Sequence, residues 1–378
     1  MLNKKEKYIF LFITIMIIVI FFGVYKHFLD HHFSDLYQHL KHAAKISKKE
    51  KNYPPNFLLY AIVNLGHNFS AQKNIFALLM SVSIYLKFAL TFFILKKQTK
   101  ITNFYHILLI SFALLFIYSI PSLTITENKL YFGNFVPTTW HNSTTIFLMP
   151  FALSLFYMLF YRTYTMRNAL IILILFILNI IIKPSFVFVI VSLLGSLIIW
   201  KIIEKRSIDK EIKLYFVYIL FAVFFIFIQY LFIYQYNVGS IQEEKSSVSI
   251  GLFKFYSLVS PIYNLPVAIL ASYAFPISCL ILKRESLDKT YWYSWILVLY
   301  SIIILLLFFE EGPRLIHGNF YWQIIPSGYL LFLTTIISFI NNKLIIPRKR
   351  FLLLGILMSH FLVGIIYFLK IIIFFNPK

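Results

Sequence analysis

Again and again along this 378-residue chain, a run of about 20 apolar residues is closed by a short polar break, and a helix of that length crosses the hydrocarbon core of a bilayer. Roughly eleven such runs stand out by that criterion, near 8–28, 74–95, 104–122, 142–160, 169–182, 185–200, 214–236, 265–282, 291–309, 322–341 and 351–375. The expected fold is therefore all-α: a polytopic integral membrane helical bundle of about 11 transmembrane helices, one membrane domain over residues 1–378. Hydrophobic residues make up 60% of the chain, above the roughly 45–50% of a soluble domain, which excludes an ordinary cytosolic enzyme. The first run is long and is followed by Tyr25, Lys26 and His27, with no small-residue cleavage site, so it reads as an anchor and not a cleaved signal. The 169–200 stretch is too long for one straight span and short for two. Lys183-Pro184-Ser185 interrupts it, and the expectation is a helical hairpin with its tip near the outer surface.

Lysine and arginine outnumber acids 35 to 14, a net charge of +21. The cations are scattered between apolar runs, so they point to membrane lipids or a phosphate-bearing lipid and not to nucleic acid. Their bias sets an orientation. With the N-terminus in the cytoplasm, the basic loops 96–103, 161–168, 201–213, 283–290 and 342–350 face inward. The outer side then carries Asp30, Asp35, Glu50, Glu127, Glu243, Glu244, Glu310 and Glu311, with most of the histidines. Chemistry is expected on that face. The single cysteine, Cys279, allows neither an intrachain disulfide nor a redox pair.

The first outer loop, 29–73, opens with DHHFSDLYQHLKHAAKI. Phe33, Leu36, Leu40 and Ala44 recur at helical spacing, and Asp35, His39 and His42 follow one another on a polar stripe, so 33–46 is predicted to be an amphipathic helix lying in the interface. After a basic linker come Tyr53-Pro54-Pro55 and an apolar piece, 56–66, too short to cross. Prolines suit the first turn of such a half-helix.

This order of parts resembles the GT-C glycosyltransferases, polytopic enzymes that take sugar from a polyprenyl-phosphate carrier. The resemblance is carried by Ser34-Asp35-Leu36-Tyr37-Gln38-His39 and Tyr53-Pro54-Pro55-Asn56-Phe57-Leu58-Leu59-Tyr60, with Lys183-Pro184-Ser185 as a weaker third element. It covers the N-terminal half best. It implies a shorter bacterial type, in the plasma membrane, moving sugar from a polyprenyl-phosphate-linked donor to a glycan or lipid acceptor. It also implies that an acid of the first outer loop is the catalytic base, a role that maps onto Asp35 and less well onto Asp30. Inverting transfer needs such a carboxylate for the acceptor hydroxyl proton and cations for the departing phosphate; Arg314, Lys183 and His317 are the candidates for the latter.

Two more outer segments mix rings with hydrogen-bonding groups. Residues 131–145 include Trp140-His141-Asn142-Ser143-Thr144-Thr145, and 310–323 reads EEGPRLIHGNFYWQ. His39, Tyr53, Trp140, His141, Asn142, Glu310 and Glu311 are thus candidate substrate-binding residues. Against this, Trp140, Tyr321 and Trp322 suit an interfacial aromatic belt more readily than a sugar, Glu310 with Arg314 suits a structural pair, and Lys183 a cap on the hairpin. His31, His32, His39 and His42 with Asp30 and Asp35 are either a divalent-cation site or a hydrated polar face; no other cofactor is indicated.

Two further classes stay open. A polyprenyl-pyrophosphate-linked polysaccharide ligase or polymerase also combines outer Arg, His and acids, but calls for a large late outer loop, whereas the longest here is the first. A transporter or flippase calls for mid-span charges and internal repeats; Lys87 and Lys370 are the main mid-run charges, and no repeat is evident.

Overall fold

The computed structural model describes residues 3–120, 133–205, 208–236, 238, 246–283, 287–341 and 347–374. Glu127, Glu243, Glu244, Arg206, Arg284 and Lys343, placed above in outer or inner loops, lie outside the described residues, as do 131 and 132 of the Trp140 segment.

Helix α1 (Lys4–Asp30) starts at a reciprocal cap: Asn3 Oδ1 accepts from the Glu6 N–H at 2.8 Å, and Glu6 Oε2 from the Asn3 N–H at 2.9 Å, so two orphan donors of the first turn are satisfied. The chain then turns into α2 (Ser34–Ser47) and the short α3 (Leu58–Val63) before α4 (Phe69–Gln98) returns alongside α1. Lys73 and Asp30 pair across that junction. Phe33, Leu36 and Leu40 of the expected amphipathic face are buried, and Ala43 rather than Ala44 is the fully buried alanine of the next turn.

The run expected to span 104–122 is helical only as α5 (Phe104–Leu115). Beyond it the backbone is no longer helical and is received by other elements. The Tyr118 N–H donates to His360 O at 3.2 Å and the Ile120 N–H to Ala271 O at 3.3 Å, partners that non-helical backbone needs inside an apolar bundle. The approach is so close that a Cβ on Gly364 would stand 1.4 Å from the Phe116 carbonyl oxygen.

Helix α6 (Ser143–Tyr161) begins at Asn142, and α7 (Met166–Ile182) breaks from α8 (Ser185–Lys205) at Lys183-Pro184. Proline drives the preceding residue out of the helical region, and Lys183 is extended at φ −166°, ψ 113°. The expected hairpin is present, its tip at Lys183. Helix α9 (Lys210–Tyr230) runs into a π-helical turn, Leu231–Gln235. Strand β1 (Val248–Ile250) is followed by α10 (Tyr256–Val259), then α11 (Leu265–Ser272) and α12 (Ala274–Lys283), the last two forming one apolar run bent by 67°. After α13 (Lys289–Leu307), strand β2 (Phe308–Glu310) pairs antiparallel with β1, Val248 opposite Glu310, a small exception to the all-α expectation. A 3₁₀ turn, Gly312–His317, leads to α14 (Ile324–Asn341) and α15 (Pro347–Phe374).

Among the described residues eight helices are long and apolar enough to cross a membrane, or nine counting the bent pair; α5 and α7 are apolar but shorter. The most apolar window of α14 is 89% buried, against 17% for α1, 17% for α9 and 22% for α15. Helix α14 is therefore the axis, with α4, α6 and α13 around it, and the other three present most of their surface outward, as lipid-facing helices do.

Candidate active site

Five segments remote in sequence meet at the start of α6. Asn142 is the N-cap: its Oδ1 accepts from the Thr145 N–H at 3.0 Å. The same oxygen receives Lys183 Nζ at 3.0 Å, and Lys183 also donates to Thr144 Oγ1 at 3.0 Å. An oxygen facing an ammonium and an N–H fixes which way the amide points, so its NH₂ faces the other side and donates to Asp35 Oδ2 at 3.1 Å. Asp35 Oδ1 lies 3.2 Å from His39 Nε2, one helical turn on, and His39 Nδ1 is 2.6 Å from the Tyr60 hydroxyl. The carboxylate needs a donor, so Nε2 carries a hydrogen, and the Tyr60 hydroxyl holds the other side of the ring. The ammonium of Lys183 also sits 4.5 Å from the centre of the Trp322 ring, and His141 packs edge-on against the same ring at 6.2 Å.

Burial works against ionisation of Asp35, but His39, by charge and hydrogen bond, together with Lys183 and His141 overrides it and holds the carboxyl below its ordinary value. Asp35 is thus a carboxylate at neutral pH. Burial pushes Lys183 down to about 7, with Asp35 pulling upward, so its charge is poised and an arriving anion strengthens it. Burial likewise sends His141 down to about 4, opposed by Asp35 and assisted by Lys183, which keeps that imidazole neutral. Tyr60 is pushed up by burial and by Asp35, against the pull of Arg314, and stays a donor.

A second polar cluster lies beside the first. The ribbon delivers Glu310, which receives the Tyr234 hydroxyl from the π-helical turn and Asn319 Nδ2 at 2.5 Å. Arg314 Nε stands 3.0 Å from Glu310 Oε1, and its guanidinium lies 5.5 Å from the centre of the Tyr234 ring. The two clusters share a field. His317 is held below the usual histidine value by the protein around it and by Arg314, while Glu310 and Asp35 pull upward and His39 downward.

Other expected site residues stand elsewhere. Asp30 is paired with Lys73. Tyr53 is exposed and accepts from Asn64 Nδ2 at 3.2 Å. Glu311 is on the surface, bonded to Ser247 at 3.0 Å, and its carboxyl is lowered by hydrogen bonds from Ser249 and Ser247. Trp140 is neither belt nor substrate platform: it is 1% exposed in an aromatic core, stacked on Phe21 and flanked by Phe116 and Phe368. Among the described residues no three His, Cys, Asp or Glu side chains gather as ligands of a cation. His31 turns back to His27 O and His32 stacks on Tyr37, so the imidazole-rich first loop lacks a ligand set among those residues. Tyr60, Thr144, Tyr234 and Asn319 are not among the site residues expected from sequence; Trp322 is, weighed there between sugar and belt, but its contact with Lys183 is not.

The chain matches no known protein family, no curated protein and no solved structure.

Proposed function

We propose that this protein is an inverting glycosyltransferase of the membrane, moving a sugar from a polyprenyl-phosphate carrier to a glycan or lipid acceptor on the outer face. The observation that carries the reading is the Asp35–Asn142–Lys183 chain, a carboxylate and a buried cation fixed on opposite sides of one amide. In this reading the chain crosses a bacterial plasma membrane about eleven times with its N-terminus in the cytoplasm, and α2 and α3 lie along the outer interface.

The chemistry asks for that pairing. The acceptor hydroxyl oxygen attacks the anomeric carbon from the face opposite the carrier. The bond from that carbon to the phosphate oxygen breaks, and its electron pair leaves with the phosphate. Asp35 takes the hydroxyl proton. A carboxylate below its ordinary value is a weak base toward an unreacted hydroxyl, so it takes the proton late, when attack has made that proton acidic. His39 and Asn142 aim the carboxylate as positioning residues. Lys183 meets the phosphate, which replaces the anionic partner its buried ammonium otherwise has only through Asn142. Arg314 and His317 add positive field, and Trp322 and His141 offer a ring and a neutral imidazole to the sugar.

The test is transfer of labelled sugar from lipid carrier to acceptor in membranes. Asp35→Asn preserves size and most hydrogen bonding but removes basicity, and should cost about 10²–10⁴ in rate with expression unchanged. Full activity in that variant would remove Asp35 from the mechanism. No transfer from a panel of lipid-linked sugars by the unmodified protein would instead favour a ligase, polymerase or transporter.

A further inference from the structure

Lys87 lies in the middle of α4, about 21 Å along the helix from Lys73 and about 16 Å from its far end at Gln98. It is 2% exposed. A buried intramembrane lysine is costly unless it is paired or has a task, and no carboxylate pairs with it among the described residues. Of its three N–H donors, one goes to Thr138 Oγ1 at 3.2 Å; the ammonium rests 4.1 Å from the centre of the Tyr329 ring. That ring is itself held by Thr91, at 2.7 Å from its hydroxyl. Both other donors lack an acceptor among the described residues.

The backbone beside Lys87 is as unusual as the lysine. Residues 133–142 are not helical yet are buried throughout, and irregular backbone at membrane depth is tolerated where it is enclosed by protein or lines a polar route. Pro137 meets α14 at Gly328, where a Cβ would lie 3.5 Å from Pro137 Cα and 3.4 Å from the Tyr273 hydroxyl. That hydroxyl is buried with no hydrogen-bond partner among the described residues. Thr138, Thr139, His141 and Asn142 follow in order, with Thr139 Oγ1 3.4 Å from His141 Nδ1. At one end of this polar segment Thr138 touches Lys87; at the other, at most about 14 Å of chain away, Asn142 touches Lys183 and Asp35.

We propose that Lys87 is a second anion-binding position, sunk to the depth of the acyl chains, that receives a phosphate-class group passing along the 133–142 segment. Its ammonium is desolvated, held in place by one hydroxyl and one ring face, and has two donors to offer, the arrangement in which a phosphate gains most from a charge-assisted bond. The inference goes beyond the transferase reading and does not need it, because a ligase or a transporter of lipid phosphates would use the same position.

The experiment measures thermal stabilisation of the purified full-length protein by three probes: a long-chain polyprenyl monophosphate, the uncharged polyprenol of equal length, and inorganic phosphate. The monophosphate should stabilise the unmodified protein and the polyprenol should not. Lys87→Met, similar in shape but neutral, should shift the midpoint concentration about tenfold or more, the scale of one charge-assisted contact. Asp35→Asn should keep the response while losing transfer, so the two proposals fail separately. Stabilisation by inorganic phosphate, lost in Lys87→Met, would also support the site and assign its anion to the aqueous phase. A lysine without a ligand predicts the reverse: relieved of a buried charge, Lys87→Met would be more stable than the unmodified protein with its phosphate response intact, and that result overturns the proposal. If Lys87→Met does not fold, Lys183→Met decides, since a monophosphate response that survives the loss of Lys183 needs a second position, and one that vanishes with Lys183 leaves none at Lys87.

Discussion

Two carboxylates stand at neighbouring clusters and differ in how completely they are used. The Glu310 side chain is 1% exposed and bonded at once to Tyr234, Asn319 and Arg314, with the cation in direct contact. The Asp35 side chain is 33% exposed, and among the described residues each oxygen holds one partner, with Lys183 one residue away behind Asn142. A carboxylate with about four acceptor positions is nearly filled at Glu310 and half filled at Asp35. The first is built as a clamp holding the ribbon, the π-helical turn and the 3₁₀ turn together, while the second has lone pairs left over among the described residues, as the proposed chemistry requires.

Substitution should separate the two sharply. The largest effect expected is the loss of about 10²–10⁴ in transfer rate for Asp35→Asn, with unfolding free energy within about 1 kcal/mol of the unmodified protein, because a part-exposed pair contributes little. Glu310→Ala should behave oppositely, losing about 3 kcal/mol of stability by leaving Arg314 without its buried partner; denaturant unfolding in detergent reads this. If Glu310→Gln kept full stability yet abolished transfer, the clamp would have to be moved into the chemistry.

A smaller effect sharpens the Asp35 side. Lys183 has a folded value near 7 against an ordinary 10.5, so its charge is present below pH 7 and lost as pH rises through that value. KM for the lipid donor should therefore increase above pH 7, by up to about tenfold per unit, with kcat changing less, and Lys183→Met should flatten the profile. A KM profile in Lys183→Met that matched the unmodified protein would take phosphate binding away from this residue.

The smallest effect belongs to the clamp. Gly318 ends the 3₁₀ turn at φ +59°, and a Cβ there would lie 2.5 Å from the Phe255 ring. Gly318→Ala should cost about 1–2 kcal/mol and leave KM for the donor unchanged. Orientation can be checked beside these. A cysteine at Lys210, in a Cys279→Ser background, should resist labelling from outside intact cells, and strong labelling would invert the proposed topology.

Much of the helical architecture was legible in advance because crossing a bilayer is a local requirement: length and apolarity of one run decide it. The hairpin break at Pro184, the helix expected over 33–46 and found at Ser34–Ser47, and the half-helix after Pro55 were readable for the same reason, since proline sterics and helical spacing act over a few residues. What the runs did not reveal was where α5 stops. Residues 116–120 are apolar enough for a helix, yet they are not helical, and α15 and α11 supply backbone partners to Tyr118 and Ile120 from far along the chain.

The site divides in the same way. Asp35, His39, Asn142, Lys183 and Arg314 were recognisable one at a time, as polar groups at the ends of apolar runs. That Asp35 touches a residue 107 positions away, and that residue a lysine 41 further on, depends on how α2, α6 and the hairpin pack. Trp140 and Trp322 make the point most plainly. By composition both suited belt or sugar, and packing put one among phenylalanines and the other against Lys183. The sequence by itself determined a helical membrane chain with its polar groups gathered at certain ends, because hydropathy and proline act locally. Only the tertiary structure decided which carboxylate was sealed, which was left open and which lysine was buried without a counter-charge among the described residues, because charges interact over ångströms of space and not over positions in the chain.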